Sequence, residues 1–419
     1  MHLARRAAAF TLATALLAPG LLAAPPLPAG KPAALGFAPE RLATMERSLA
    51  RFVDEGQHAG LSWIVARRGS IVSSGARGFR DVEARLPMEL DTICRIYSMS
   101  KVVTSVGALV LLEEGRLDLQ DPVSRYLPEF ETMQVFTGGT AEAPLLATPN
   151  GSITIEHLLT HTSGMYYDFS VEGPLRTLYE HAKLGESKTL EEFTRKAAKL
   201  PLKHQPGTAW TYGISTAILG RVIEVASGQP LEDFLRERIF DPLKMVDTSF
   251  SVPPEKRGRL AKIYEMKDGR LVPVESPFFS WVEKGTGPAL GDAGLFSTIG
   301  DYTRFAQMLL NGGELDGMRV LGRKTVEFMH ENRLGDLPQS HIGNHAQGFG
   351  LGVSVTINPG ESSAISSLGR FGWSGAATTD CGIDPVEGIV ALVFAQHFPF
   401  NAHRLFERFS NGYLQALVD

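Results

Sequence analysis

The chain reads as an α+β protein, an α/β sandwich. An antiparallel sheet is flanked by terminal helices, and a mostly helical segment is inserted between its halves. Three observations predict this. Strand-like runs gather towards both ends, helical periodicity fills the middle, and each end also carries one amphipathic helix. The chain has 419 residues, 43% hydrophobic and 21% charged, so it can bury a large core and is not a disordered polymer.

Taken in order, Arg5 and Arg6 precede an apolar stretch from Ala7 to Leu22, and small residues follow at Ala23 and Ala24. This pattern predicts a signal peptide over residues 1–24 and an exported product, periplasmic or secreted. Residues 25–35 are rich in Pro and Ala and read as a linker. Leu42, Met45, Leu49 and Phe52 recur at helical spacing and predict a helix from Pro39 to Glu55. Leu61–Ala66 and Ser70–Ser74 read as a hairpin about Arg67-Arg68-Gly69. A β-like run at Thr92–Ile96 leads into a helix from Ser98 to Glu114.

Helical patterns then cover Thr154–Thr160, Leu190–Leu200, Ile214–Ala226, Pro230–Ile239 and Asp301–Leu310. Strands are expected at Leu351–Ile357, Ala376–Ile383 and Ile389–Gln396, the last two joined by the turn 384–388. The final helix runs from about Ala402 to Leu417, with Leu405, Phe406, Phe409 and Tyr413 as its apolar face. The expected division is a split α/β part, about 36–110 and 290–419, and a helical part, about 111–289. Together they form one unit over 36–419, with a cleft between the parts.

Charge narrows the partners. Lys plus Arg number 41 against 46 for Asp plus Glu, a net charge of -5, with no basic block. Nucleic acids and anionic membranes are poor partners for such a surface. Beyond the N-terminal segment no run is apolar and long enough to span a membrane. Two cysteines exclude a disulfide scaffold and a Cys-rich zinc module. Cys94 and Cys381 could pair in an oxidising compartment, but two buried thiols is the preferred reading.

The sharpest chemical signal is Ser98-Met99-Ser100-Lys101 at a strand-to-helix junction. Residues three apart share a helix face, so Lys101 can bring its Nζ beside the Ser98 Oγ. A serine hydroxyl needs a base to become a nucleophile, and a lysine serves once desolvated. The helix N-terminus favours a developing oxyanion. Other patterns weigh less. Gly372-Trp373-Ser374-Gly375-Ala376 lacks the final glycine of a nucleophile elbow, and a strand is expected after it instead of a helix. His157 and His161 are four apart, but no third ligand accompanies them, so a packed or capping turn is expected. Among the aromatics Trp63, Trp210, Trp281, Trp373, Tyr166, Tyr167, Phe278 and Phe279, only Trp373 and Tyr167 are placed at the cleft.

These runs resemble the serine β-lactamase and penicillin-binding-protein superfamily. The likeness extends through Leu117–Pro128, Ile153–Gly164 and Gly294–Thr298, covers about Gly36 to Tyr413, and is closest to the class C-like branch with its family VIII carboxylesterases. The resemblance implies Ser98 as nucleophile, Lys101 and Tyr212 as its proton-transfer partners, and the backbone N–H groups of Ser98 and Ala376 as the oxyanion hole. It places Trp373, Ser374, Gly375, Ile214 and Tyr167 against the substrate. No metal or organic cofactor is implied. Ile214 and Trp373 stand where lactamases carry an amide and a cation. Removing polar recognition groups favours a small uncharged ester over a lactam or D-peptide. The expected activity is therefore a serine carboxylesterase. A β-lactamase, a D-amino-acid peptidase or transesterase, and a non-catalytic binding protein of the same fold are the alternatives.

Overall fold

The computed structural model describes residues 26–274, 287–337 and 345–419. The expected signal segment lies outside these residues, as do Phe278, Phe279 and Trp281.

The centre is an eight-stranded antiparallel sheet. Its spatial order is Gln347–Phe349, Ser354–Thr356, Phe371–Gly375, Thr379–Asp384, Ile389–Ala395, Gly60–Arg67, Ser70–Asp81 and Leu86–Pro87. The first and last thirds of the chain meet where Gly60–Arg67 pairs with Ile389–Ala395, Trp63 opposite Val393. Both of these strands are buried along their whole length. Alternation assigns their side chains to two cores. Leu61, Trp63 and Val65 pack with Leu42, Met45 and Leu49 of the helix Pro39–Asp54 and with Phe409 and Tyr413 of the helix Leu405–Leu414. Ile64, Ala66, Leu392 and Phe394 face the other way, into the core that holds Tyr302 and Phe305 of the helix Ile299–Leu310.

That second core continues without a break into the helical part, through Val106, Ile218, Leu219 and Phe234. The helix Ser100–Glu113 is buried on all sides from Ser100 to Leu111, which is why its apolar residues surround the axis instead of forming one stripe. The boundary expected near 110 thus crosses a shared core. Nor is the middle purely helical. Val135–Gly139 pairs with Pro144–Ala147, and Ile263–Lys267 pairs with both Arg270–Val274 and the short strand His397–Phe398. None of the helices among the described residues is long and apolar enough to cross a membrane.

Two further expectations are corrected. The described part of the expected linker, 26–35, is docked: Leu27 is buried, Gly30 N–H donates to the Ile71 carbonyl, and Pro32–Leu35 forms a 3-10 turn. The strand expected from Ala376 begins at Thr379, because Ala376–Thr378 turns the chain after a strand that already includes Trp373, Ser374 and Gly375. Thr378 closes that turn at φ +62°, its N–H bonded to the Gly375 carbonyl.

Candidate active site

Ser98 lies in a 3-10 turn, Tyr97–Met99, immediately before the helix Ser100–Glu113. The turn is held under strain. Tyr97 has φ +42°, a region costly for a side chain of this size, and is clamped by packing against Ile263 and Ala377. The helix beneath it is tied to the segment 291–295 by its side chains. Thr104 Oγ1 donates to the Gly291 carbonyl at 2.7 Å, and Ser100 Oγ accepts from Leu295 N–H at 3.1 Å. Tyr302 OH donates to the Met99 carbonyl at 3.0 Å.

Lys101 is 1% exposed. Its Nζ lies 3.4 Å from Ser98 Oγ, 3.0 Å from Tyr167 OH and 2.8 Å from the Asp292 carbonyl oxygen. The same Tyr167 hydroxyl donates to Asp292 Oδ2 at 2.5 Å. Burial pushes the Asp292 carboxyl above its ordinary range while the Lys101 charge pulls it back. Burial, and then the Asp292 charge, keeps Tyr167 protonated well above the usual phenol range. His161, packed behind Lys101 and against Tyr212 at 5.0 Å between ring centres, is held neutral by burial and by the lysine charge.

Tyr212 stands across from this cluster. Its ring lies 4.8 Å from Lys101 Nζ, and its hydroxyl accepts from Trp373 Nε1 at 3.2 Å. The segment is placed by Gly213, where a Cβ would sit 2.4 Å from the Met165 carbonyl oxygen, so only glycine lets the two loops touch. Ser170 Oγ donates to the Tyr212 carbonyl at 2.7 Å and pins them together. On the sheet side a Cβ at Gly375 would meet the Ile96 carbonyl oxygen at 2.2 Å, so glycine brings the strand end against the Ser98 turn. Ala376 follows, and Ser98 and Ala376 line the same cleft.

The cleft holds about 620 Å³. One wall is aromatic: Trp210 stacks on Tyr212, and Phe349 meets Trp373 edge-on. Phe169 and Phe400, both more than half exposed, stand at its mouth. Opposite, Ser374 Oγ donates to Asp380 Oδ1 at 2.8 Å, and Asp380 lies 3.9 Å from Arg370.

Thus Ser98, Lys101, Tyr212, Trp373, Ser374, Gly375 and Ala376 are brought together. Tyr167 belongs to the site through its hydroxyl, behind the cleft wall and not along it. Ile214 does not belong. It precedes the helix Ser215–Ser227, is 1% exposed, and packs with Met133, Met165 and Leu202 inside the helical part. Its side chain points inward because the first turn of that helix is buried. Sequence reasoning missed Asp292, although it directly precedes the Ala293-Gly294-Leu295 run whose last two residues carried the resemblance. It also assigned Trp210 to packing alone.

Of the histidine pair, His157 resolves as a cap and His161 as a packed ring. Thr154 N–H donates to His157 Nδ1 and His157 N–H to Thr154 Oγ1, both at 3.2 Å. Cys94 and Cys381 are free, buried thiols, and burial pushes Cys94 up to about 12. No group of metal-ligating side chains is found among the described residues.

An antiparallel sheet with flanking helices, carrying a serine one turn before a buried lysine, defines a β-lactamase-like serine hydrolase or acyltransferase. Comparison with known proteins agrees, and the chain belongs to the Beta-lactamase family, whose model matches residues 45–411. Esterase EstB of Burkholderia gladioli is 30% identical over 361 residues, covering 79% of this chain and 84% of its own. Monacolin J acid methylbutanoyltransferase of Aspergillus terreus is 31% identical over 353 residues, covering 78% and 83%. Among solved structures, EstCE1, a hydrolase with promiscuous acyltransferase activity, superposes with a TM-score of 0.75 at 25% identity, covering 90% of this chain and 99% of its own.

Proposed function

We propose that the protein is a serine carboxylesterase that cleaves small carboxylic esters through an acyl-enzyme on Ser98. Ser98 Oγ attacks the ester carbonyl carbon and gives its proton to the Lys101–Tyr212 pair. The carbonyl oxygen, now an oxyanion, is received by the N–H groups of Ser98 and Ala376; each such donor is worth roughly 3–4 kcal/mol. As the tetrahedral intermediate collapses, the bond to the alkoxy oxygen breaks and Tyr212 passes the proton to the departing alcohol. Water then attacks the acyl-enzyme, with the same pair as base, and frees the acid.

The observation that carries the choice of ester is the Trp373–Tyr212 bond. A neutral indole occupies the strand position where a cation would meet a lactam carboxylate, and the wall beside it is aromatic. An aromatic wall of this kind accepts aryl and alkyl esters, and the indole offers a lactam carboxylate no charge at that position. A panel of p-nitrophenyl esters against nitrocefin tests this. Ester turnover should exceed nitrocefin turnover, and faster turnover of nitrocefin than of p-nitrophenyl acetate refutes it.

A second reading shares every step but the last: an alcohol replaces water and the acyl group is transferred. The cleft volume, larger than a short acyl chain needs, and the acyltransferase among the relatives favour it. Ester exchange measured in the presence of a bulky alcohol separates the two readings. The N-terminal pattern adds the proposal that the enzyme acts after export. N-terminal sequencing of the protein from its native compartment checks this.

A further inference from the structure

Asp292 is fully buried, and nothing in the sequence pattern or the proposed chemistry calls for a carboxylate there. Its Oδ2 accepts from Tyr167 OH at 2.5 Å, a length typical of a charge-assisted bond. Its Oδ1 has no partner among the described residues. Keeping a half-satisfied carboxyl group in a core is costly unless it does something that a neutral residue would not.

The geometry around Lys101 shows what that is. Nζ is tetrahedral and meets three oxygens: the Asp292 carbonyl, Tyr167 OH and Ser98 Oγ. The carbonyl can only accept. The Tyr167 hydroxyl could either donate to Nζ or accept from it, and Asp292 decides between the two. Because the phenol proton is directed at Oδ2, only the lone pairs of the phenol oxygen remain for Nζ. Two N–H bonds of the amine are then spent on acceptors, and the third position points at Ser98. In the ammonium form that position carries a proton, and in the amine form it is the lone pair that takes the proton of Ser98.

We propose that Asp292 is a positioning residue that prevents the Tyr167 hydroxyl from capping the Lys101 amine and so aims the base at Ser98. The proposal rests on the reading of Ser98 as nucleophile and Lys101 as its base. Without Asp292 the Tyr167 O–H turns towards the amine and competes with Ser98 for its lone pair. The backbone carbonyl of residue 292 stays in place in every variant, so only the direction of the phenol proton changes.

The test is a double-mutant cycle read in ester hydrolysis and in the rate at which a fluorophosphonate probe labels Ser98. Asp292→Ala should lower kcat about tenfold or more, with KM changed less than about threefold. Asp292→Asn, whose amide oxygen still accepts from Tyr167, should retain more activity than Asp292→Ala. In a Tyr167→Phe background, which has no hydroxyl to misdirect, Asp292→Ala should cost less than about twofold. An equal loss in both backgrounds, a loss confined to KM, or an Asn variant no better than Ala would overturn the proposal. Circular dichroism and melting of each variant exclude misfolding as the cause. Wild-type protein whose Ser98 is labelled but which cleaves no ester sinks the esterase reading alone, and the labelling cycle still decides Asp292. Wild-type protein that is not labelled at all sinks both.

Discussion

Two polar clusters are built around buried groups. One surrounds Lys101, where four contacts of 2.5–3.4 Å link its Nζ to Ser98, Tyr167 and the Asp292 carbonyl, and Tyr167 to the Asp292 carboxylate, and one side opens on a cleft. The other gathers the buried His58 and His397 with the exposed His403, ring centres 4.5–6.5 Å apart. There His58 and His397 are 1% exposed, and neither ring nitrogen of His397 finds a hydrogen-bond partner among the described residues. The first cluster spends burial on directing protons. The second spends it on ring packing and keeps His58 and His397 neutral. Disturbing the first should therefore cost activity and little stability, and disturbing the second the reverse.

The largest expected effects fall on the first cluster. Ser98→Ala should abolish measurable ester turnover while leaving the melting temperature within a few degrees of wild type. Lys101→Ala should lower kcat by at least about a hundredfold and Tyr212→Phe by at least about tenfold, both measured at saturating ester. A Tyr212→Phe variant with near-normal kcat would remove that residue from proton transfer. A smaller loss, severalfold in kcat/KM, is expected for Trp373→Phe, which keeps the aromatic wall but deletes the donor to Tyr212.

The second cluster should show itself in acid. Burial, followed by the neighbouring histidines, lowers His58 to about 3 and His397 to about 4, against 6.5 for a free imidazole. The unfolded chain therefore binds more protons below pH 6.5, and stability falls as the pH drops. The contribution is complete above pH 6.5 and is lost progressively towards pH 4 and 3. At pH 5 each imidazole should withdraw about 2 kcal/mol. Urea midpoints at pH 7 and pH 5 measure this, and His58→Phe should flatten the dependence without changing kcat at pH 7. An unaltered slope would show that other groups carry the acid sensitivity.

The same contrast explains what could be read in advance. The helix after Ser98 and the two central strands are written locally, in dense apolar runs such as Val102–Val110 and Ile389–Ala395. The Ser98–Lys101 spacing is local too. The strand Phe371–Gly375 was misplaced because its two glycines blur the alternation, and its register is set by pairing with Thr379–Asp384. Asp292 left no local trace. Its partners lie 125 and 191 residues away, and only tertiary folding brings them together. Ile214 erred in the opposite sense. A position carried over by motif spacing turned inward, because the first turn of its helix had a core to fill. The His58 cluster was equally invisible, since its members come from three separate elements.

The central claim is that Ser98 is an activated nucleophile, and covalent labelling tests it most directly. Folded wild-type protein treated with a fluorophosphonate probe and digested for mass spectrometry should carry one adduct, on the peptide containing Ser98. That adduct should vanish in Ser98→Ala and form far more slowly in Lys101→Ala. Folded protein left unlabelled, or labelled at Ser374 or another serine with Ser98 free, would contradict the account.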